Sequence, residues 1–278
     1  MLGIILSSIG TFFGEIADSV GKKSVVAREQ SVYTFGVLQL FGGWAMLVTL
    51  VLVKRDLFVF SAASLPTFFL RLALEIPQHY AMFISVVRAQ RSTYSFVRVG
   101  TLPLLLIADL LLGYDLRQTQ ILGIALIVLC LILVFMGRQF SRQGIGLVLF
   151  STVNAVFTVS LLKYNISHFN SVAAEQIMIQ GSLLLFFIIL AFTLGRENPC
   201  RLITKPVFSG QTASVGLATV LESFAYNYAP ASIIMTAKRA SAVFWATLAG
   251  NLYFQERHFL YKLGVFVLLA AGIVLLLV

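Results

Sequence analysis

The stretch RVGTLPLLLIADLLLGYDLRQTQILG, residues 98–123, has a counterpart 141 residues later in RASAVFWATLAGNLYFQERHFLYKLG, residues 239–264. Chance matches of leucine or valine are common in an apolar chain, but matches of charged, amide and glycine residues at one fixed shift are not. The shift of 141 superposes these pairs: Gly3 on Gly144, Thr11 on Thr152, Ser19 on Ser160, Lys22 on Lys163, Gln39 on Gln180, Arg98 on Arg239, Asp115 on Glu256 and Gly123 on Gly264. The pattern predicts two homologous halves, residues 1–138 and 139–278.

The composition excludes a soluble protein. Of the 278 residues, 59% are hydrophobic and 11% are charged, and the mean hydropathy is +0.94. Soluble domains are usually about 45–50% apolar and about 25% charged. Scarce charge and an aromatic content of 13% also exclude a disordered chain. Ten membrane-spanning helices of about 20 residues would use roughly 200 residues and leave about 78 for the connections and ends.

Apolar runs predict ten membrane-spanning helices, five in each half. They lie at residues 2–20, 32–53, 64–86, 92–113, 119–137, 143–163, 172–194, 207–228, 231–251 and 259–278. An odd number of spans per half makes the two halves cross the membrane in opposite directions. The sequence therefore predicts an all-α polytopic membrane protein of two inverted five-helix repeats, an organisation typical of secondary transporters.

The basic charge belongs mostly to the connections between spans. A net charge of +9 would suggest a nucleic-acid partner in a soluble protein, but here it predicts membrane orientation instead. The odd-numbered connections carry twelve Lys and Arg residues and the even-numbered ones four, a bias that places both termini outside the cell. Cys130 lies within a span and Cys200 in a connection, so neither a disulfide framework, a metal site nor a cofactor is predicted.

Three short motifs carry a resemblance to a known family. Span four contains Pro103 and ends at Gly113, followed by Tyr114-Asp115. The equivalent passage after span nine has Glu256 at the position of Asp115. The stretch AYNYAPAS at 225–232 joins spans eight and nine. Together they resemble the drug/metabolite transporter superfamily in its ten-helix EamA-like branch, over essentially the whole chain. The resemblance implies two fused five-helix units, a small-molecule substrate and cytoplasmic termini. Since the loop charges favour the opposite sidedness, the orientation stays open.

Cations within the apolar spans are the first candidates for a site. A charge inside the bilayer costs about 2.5–3.5 kcal/mol on insertion scales, so it tends to face a cavity or a partner. Arg98, Lys238 and Arg239 are predicted to hold an anionic group, since a guanidinium can grip a carboxylate with two hydrogen bonds. Pro103 is predicted to kink span four beside this site.

Carboxylates and hydrogen-bonding side chains in the spans complete the predicted substrate-binding set. The carboxylates are expected to balance charge, bind an amine or carry protons, and the others to orient a polar substrate. The predicted residues are Glu15, Glu75, Glu222, Gln39, Gln180 and Tyr226.

Structural roles compete with these assignments. Glu222 can form a purely structural ion pair with Lys238 or Arg239, and Arg71 can reach the membrane edge by snorkelling. Glu175 near the start of span seven is explained by the helix dipole alone.

The predicted function is a secondary transporter of the cell membrane that works by alternating access. Its substrate would be a small organic metabolite, anionic or zwitterionic such as an amino acid, with protons as one coupling ion to consider. The alternative is a lipid or lipid-linked precursor flippase on the same scaffold. An integral-membrane enzyme would need a nucleophile–base pair or a metal cluster, and the sequence shows neither. Monomer and homodimer are both open.

Overall fold

The computed structural model describes residues 2–104, 118–136, 140–225, 228 and 231–277, and no β-strand occurs among them. Ten helices carry the labels used below. They are α1 Leu2–Val26, α2 Val32–Val53, α3 Leu65–Arg88, α4 Arg91–Arg98, α5 Gln118–Met136, α6 Ile145–His168, α7 Val172–Thr193, α8 Pro206–Ala225, α9 Ala231–Phe254 and α10 Phe259–Leu277. Among the described residues the chain is thus all-helical, as predicted.

Five helical segments of the described chain are long and apolar enough to cross a membrane. They are Leu2–Val26, Val32–Val53, Arg55–Arg88, Ile145–His168 and Val172–Thr193. Large apolar side chains cover much of the outer surface, as Val53, Leu185 and Leu260 illustrate with exposed fractions of 83%, 62% and 80%. Such a surface suits lipid rather than water, and the protein is an α-helical membrane protein.

The helices begin and end near the predicted spans, with two informative differences. Helix α1 continues through Lys22-Lys23 to Val26, whereas the apolar run predicted a span that ends at residue 20. It can do so because Lys22 donates to the Ala89 carbonyl and Lys23 lies over the ring of Tyr253. Both ammonium groups therefore find partners without ending the helix.

Span four is interrupted before its proline. Helix α4 ends at Arg98, a turn follows at Val99-Gly100, and residues 101–104 are helical again. The Val99 carbonyl accepts a hydrogen bond from the Leu102 amide at 2.9 Å. Pro103 has no amide hydrogen to complete the regular pattern with Val99. Residues 105–117, the rest of the predicted span with its connection, lie outside the described residues.

Helices α2 and α7 pack against each other in antiparallel directions. Gly36 near the start of α2 packs against Phe187 late in α7, and Gly43 further along α2 lies beside Gln180 earlier in α7. The connections at their ends agree, since Glu197 after α7 accepts hydrogen bonds from the first residues around the start of α2. At the other end, the connection after α2 pairs with Ser171, the N-cap of α7.

Helices α5 and α10 form a second antiparallel pair. The Cys130 thiol, late in α5, faces the Val265 carbonyl, early in α10. Gly272, late in α10, packs against the backbone of Gly123, early in α5. Small residues thus allow two helices of the same chain to pack closely.

Glycine also allows α2 to approach α8 closely. A side chain at Gly42 would run into the backbone of Thr212, whereas Gly210 on the same helix α8 has open space around it. We expect Gly42→Ala to lower the stability of the folded protein by about 1–3 kcal/mol, the usual range for overpacking. Gly210→Ala is the matched control and should be neutral or stabilising, because alanine favours the helix. Thermal unfolding of both variants in detergent checks this, and equal melting temperatures would contradict the contact.

Candidate functional site

A cavity of about 350 Å³ lies between α1, α2, α3 and α4 on one side and α8 and α9 on the other. Its apolar wall includes Leu40, Met82, Phe83 and Val86. Its polar lining consists of Thr11, Glu15, Asp18, Gln39, His79, Arg91, Tyr94, Ser95, Arg98, Thr219, Glu222, Lys238 and Arg239. The volume is at the lower end of the range for small-molecule sites.

The lining brings together six of the nine predicted substrate-binding residues. These six are Glu15, Gln39, Arg98, Glu222, Lys238 and Arg239. Among the described residues, four cationic side chains and three carboxylates line the cavity, a surplus of one positive charge when His79 is neutral. Charged side chains within a membrane protein that line one cavity indicate a candidate functional site, because burying them elsewhere is costly.

Arg91 anchors the acidic side of the cavity. It was not predicted as a site residue, because it is one of the twelve Lys and Arg residues assigned to the odd-numbered connections. Its side chain is 1% exposed and donates from Nε to Glu15 at 2.7 Å and from Nη2 to Glu15 at 2.6 Å. Nη2 also reaches Asp18 at 2.9 Å, and Asp18 accepts a further hydrogen bond from Gln39 at 2.8 Å. One guanidinium thus holds two carboxylates of α1 against α4.

The start of α4 is itself held by Glu256, the acid of the family-like motif after span nine. Its carboxylate accepts from the Arg91 amide at 2.6 Å, from the Ser92 hydroxyl and from Lys262 at 2.8 Å. An acid at a helix N-terminus satisfies amides that have no partner within the helix. Lys262 belongs to the cations of the odd-numbered connections, yet it is 1% exposed and pairs with Glu256, six residues earlier in the chain.

Arg98 presents a cation to the cavity. Nη1 donates to the Tyr94 hydroxyl at 2.7 Å, and the guanidinium lies 5.5 Å from the centre of the Tyr94 ring. Nε is buried and has no hydrogen-bond acceptor among the described residues. No described carboxylate comes within 4.0 Å of this side chain. An anionic group in the cavity would supply what it lacks.

Lys238 and Glu222 form an ion pair on the opposite wall. Their charged atoms are 2.6 Å apart, and 35% of the lysine side chain and 20% of the glutamate side chain remain exposed. The pair is structural in that it joins α8 to α9, but it also lines the cavity, so a polar substrate can reach it. Arg239, the next residue, lines the same wall.

Glu75 lies outside the cavity lining, in a second buried cluster between α3, α6 and α7. It accepts from Arg71, which also donates to Glu175 at 2.9 Å. Arg71 is 3% exposed, so the snorkelling interpretation is wrong. Glu175 accepts from Asn165 as well and is fully buried, so it does more than favour a helix dipole.

His79 connects this cluster to the cavity, and the sequence offered no signal for it beyond its isolated position. Its Nδ1 lies 3.1 Å from a Glu75 carboxylate oxygen, while the side chain lines the cavity. The other predictions lie apart from the site: Gln180 is not in the lining, and Tyr226 lies outside the described residues.

Polar side chains on one face of α6 are used for packing. Asn154 donates to the Leu74 carbonyl at 2.7 Å, and the Thr158 hydroxyl donates to Gln78 at 3.0 Å. Both hydrogen bonds join α6 to α3. Among the described residues no group of three or more His, Cys, Asp or Glu side chains could hold a metal ion.

Comparison with models of known protein families gave no match, and comparison with curated protein sequences gave none either. The family resemblance therefore depends on the sequence motifs. Of the motif residues, Glu256 is described by the structure and contacts the start of α4, whereas Asp115 and Pro230 lie outside the described residues.

Proposed function

We propose that the protein is a secondary transporter of the cell membrane that carries a small anionic or zwitterionic organic solute by alternating access. The observation that supports it is the charged cavity between α1–α4 and α8–α9, within a bundle whose outer surface is apolar. Its place in the EamA-like branch of the drug/metabolite transporter superfamily is part of the same proposal.

The helix contacts support a duplicated bundle with inverted halves. The repeat shift relates α2 to α7, α4 to α9 and α5 to α10, and each of these pairs is in contact. The pairs α2 with α7 and α5 with α10 are antiparallel, as described above. The pair α4 with α9 is antiparallel too, because Arg91 at the start of α4 contacts Glu256 just after the end of α9. The contact of α1 with α8 has its counterpart in α6 with α3. Copies with the same orientation would instead make their equivalent helices parallel.

The lining suggests how a zwitterion such as an amino acid would bind. Its carboxylate would pair with Arg98, whose Nε lacks an acceptor among the described residues. Its amine would approach Glu222, which is only partly covered by Lys238. Met82 and Phe83 offer an apolar wall for the rest of the solute. Protons are the coupling ion to test, since three carboxylates and His79 face the cavity.

A flippase is the second candidate, and one observation favours it. A groove of about 290 Å³ between α1 and α9 is mostly apolar and includes Glu15, which also lines the charged cavity. An amphiphile could place its polar head in the cavity and its chain in the groove. This function predicts activity on amphiphiles alone.

A thermal-shift screen of the purified protein decides between these functions. A ligand that binds only the folded state and is present at a concentration of 100 times its Kd stabilises the folded protein by about 2.7 kcal/mol. We expect protection by small amino or carboxylic acids, followed by uptake of the same solute into proteoliposomes. Protection by amphiphiles alone would favour the flippase, and a solute that binds without being taken up or exchanged would contradict the transporter.

A further inference from the structure

The groove between α1 and α9 opens on the lipid-facing surface. Phe12 and Ile16 of α1 and Trp245 and Leu252 of α9 line it. Phe12 is 38% exposed and Leu252 is 72% exposed, so the groove is accessible from outside the bundle. Its polar side chains, Glu15 and Ser19, are bonded to Arg91 and to each other. The groove therefore presents mostly apolar carbon to the membrane, and the buried Nε1–H of Trp245 in its wall has no hydrogen-bond acceptor among the described residues.

The two helices that form the groove are parallel, and their length sets its depth in the bilayer. Ser7 faces Ile234 near their starts, Phe12 packs on Trp245, and Lys23 meets Tyr253 near their ends. From Phe12 to Lys23 a helix rises about 16 Å. Half of a hydrocarbon core of about 30 Å is about 15 Å. A chain in the groove would thus reach from the membrane surface at Lys23 to about the middle of the bilayer.

Positive charge gathers at the surface end of the groove. Lys23 is exposed, and its ammonium lies 4.8 Å from the centre of the Tyr253 ring. Arg28 after α1 and Arg257 after α9 are also exposed at this end, against one exposed carboxylate in the described part of these two connections, Glu29. Tyrosine and lysine at this level are typical of membrane interfaces, and each surface cation attracts an anionic headgroup.

We infer that this groove binds one acyl chain of an anionic glycerophospholipid, whose phosphate pairs with Lys23. Glu15 lines both the groove and the charged cavity, so an occupied groove braces the wall that Glu15 and Arg91 form between them. The inference concerns a bound lipid and holds whatever solute the cavity takes, so its failure and that of the proposed transport are separable.

The experiment measures lipid retention by native mass spectrometry and thermal protection, using the full chain in detergent. The probes are phosphatidylglycerol and phosphatidylcholine with identical acyl chains. Lys23→Gln should reduce retention of phosphatidylglycerol about fivefold, the effect of one lysine charge near a membrane surface. It should reduce retention of phosphatidylcholine less, because the choline cation offsets the charge of the phosphate. Lys205→Gln, at an exposed cation before α8, is the matched control and should behave like the wild type.

A second variant tests the chain rather than the headgroup. Ala249→Phe fills the groove and should reduce retention of both lipids, with folding checked by helical circular dichroism and a monodisperse elution profile. Equal retention of phosphatidylglycerol by Lys23→Gln and wild type would overturn the inference. So would equal losses in Lys23→Gln and Lys205→Gln, which indicate diffuse attraction, or full retention by a folded Ala249→Phe protein.

Discussion

Replacing Arg91 with methionine is expected to destabilise the folded protein by about 3–5 kcal/mol, the cost of removing one partner from a buried ion pair. Arg91 is 1% exposed and is bonded to both Glu15 and Asp18. Its removal leaves Glu15 buried without its cation, and methionine offers no hydrogen bond in return. Thermal and denaturant-induced unfolding in detergent measure the loss, which should appear as poor yield and early melting.

The control for this prediction lies three residues earlier. Arg88 ends α3 and is exposed, so Arg88→Met should change stability by no more than about 0.5 kcal/mol. Adding Glu15→Gln to Arg91→Met should recover part of the loss, because the uncompensated charge is then gone. If the Arg91→Met and Arg88→Met proteins have the same melting temperature, the ion pair of Arg91 with Glu15 does not stabilise the fold.

Replacing Arg98 with glutamine is expected to reduce uptake of the transported solute by roughly 10–100-fold, the range that corresponds to one hydrogen bond to a charged group. Folding should persist, because Arg98 donates to Tyr94 and pairs with no carboxylate among the described residues. Arg98→Lys should keep part of the activity, since lysine retains the charge without the paired donors. Initial rates in proteoliposomes with equal amounts of protein check the order of the variants.

Two further variants test whether the effect is specific to the cations that line the cavity. Arg142→Gln removes an exposed arginine outside the cavity and should transport like the wild type. Arg239→Gln removes the cation that the repeat shift relates to Arg98 and should impair uptake as well. Unchanged uptake in both Arg98→Gln and Arg239→Gln would remove the assignment of the anionic group to these residues.

The candidate site was predictable where a charge stands within an apolar run. Arg98, Lys238 and Glu222 are conspicuous against their neighbours, and all three line the cavity. Arg91 was missed because it follows a polar connection, where Arg88 and Arg91 look alike. Glu75 shows the converse, since it stands out in the sequence but pairs with Arg71 away from the cavity lining.

The amino-acid sequence by itself determined the helical class and the approximate positions of the helices that the structure describes, because hydropathy and backbone preference act over neighbouring residues. The pairing of the halves as inverted repeats stays a prediction that the antiparallel contacts support. Only the tertiary structure decided which charges meet. Glu15 and Arg91 are 76 residues apart, and Arg71 and Glu175 are 104 apart. A buried charge is stabilised by partners that packing brings from distant helices, and no local pattern along the chain specifies them.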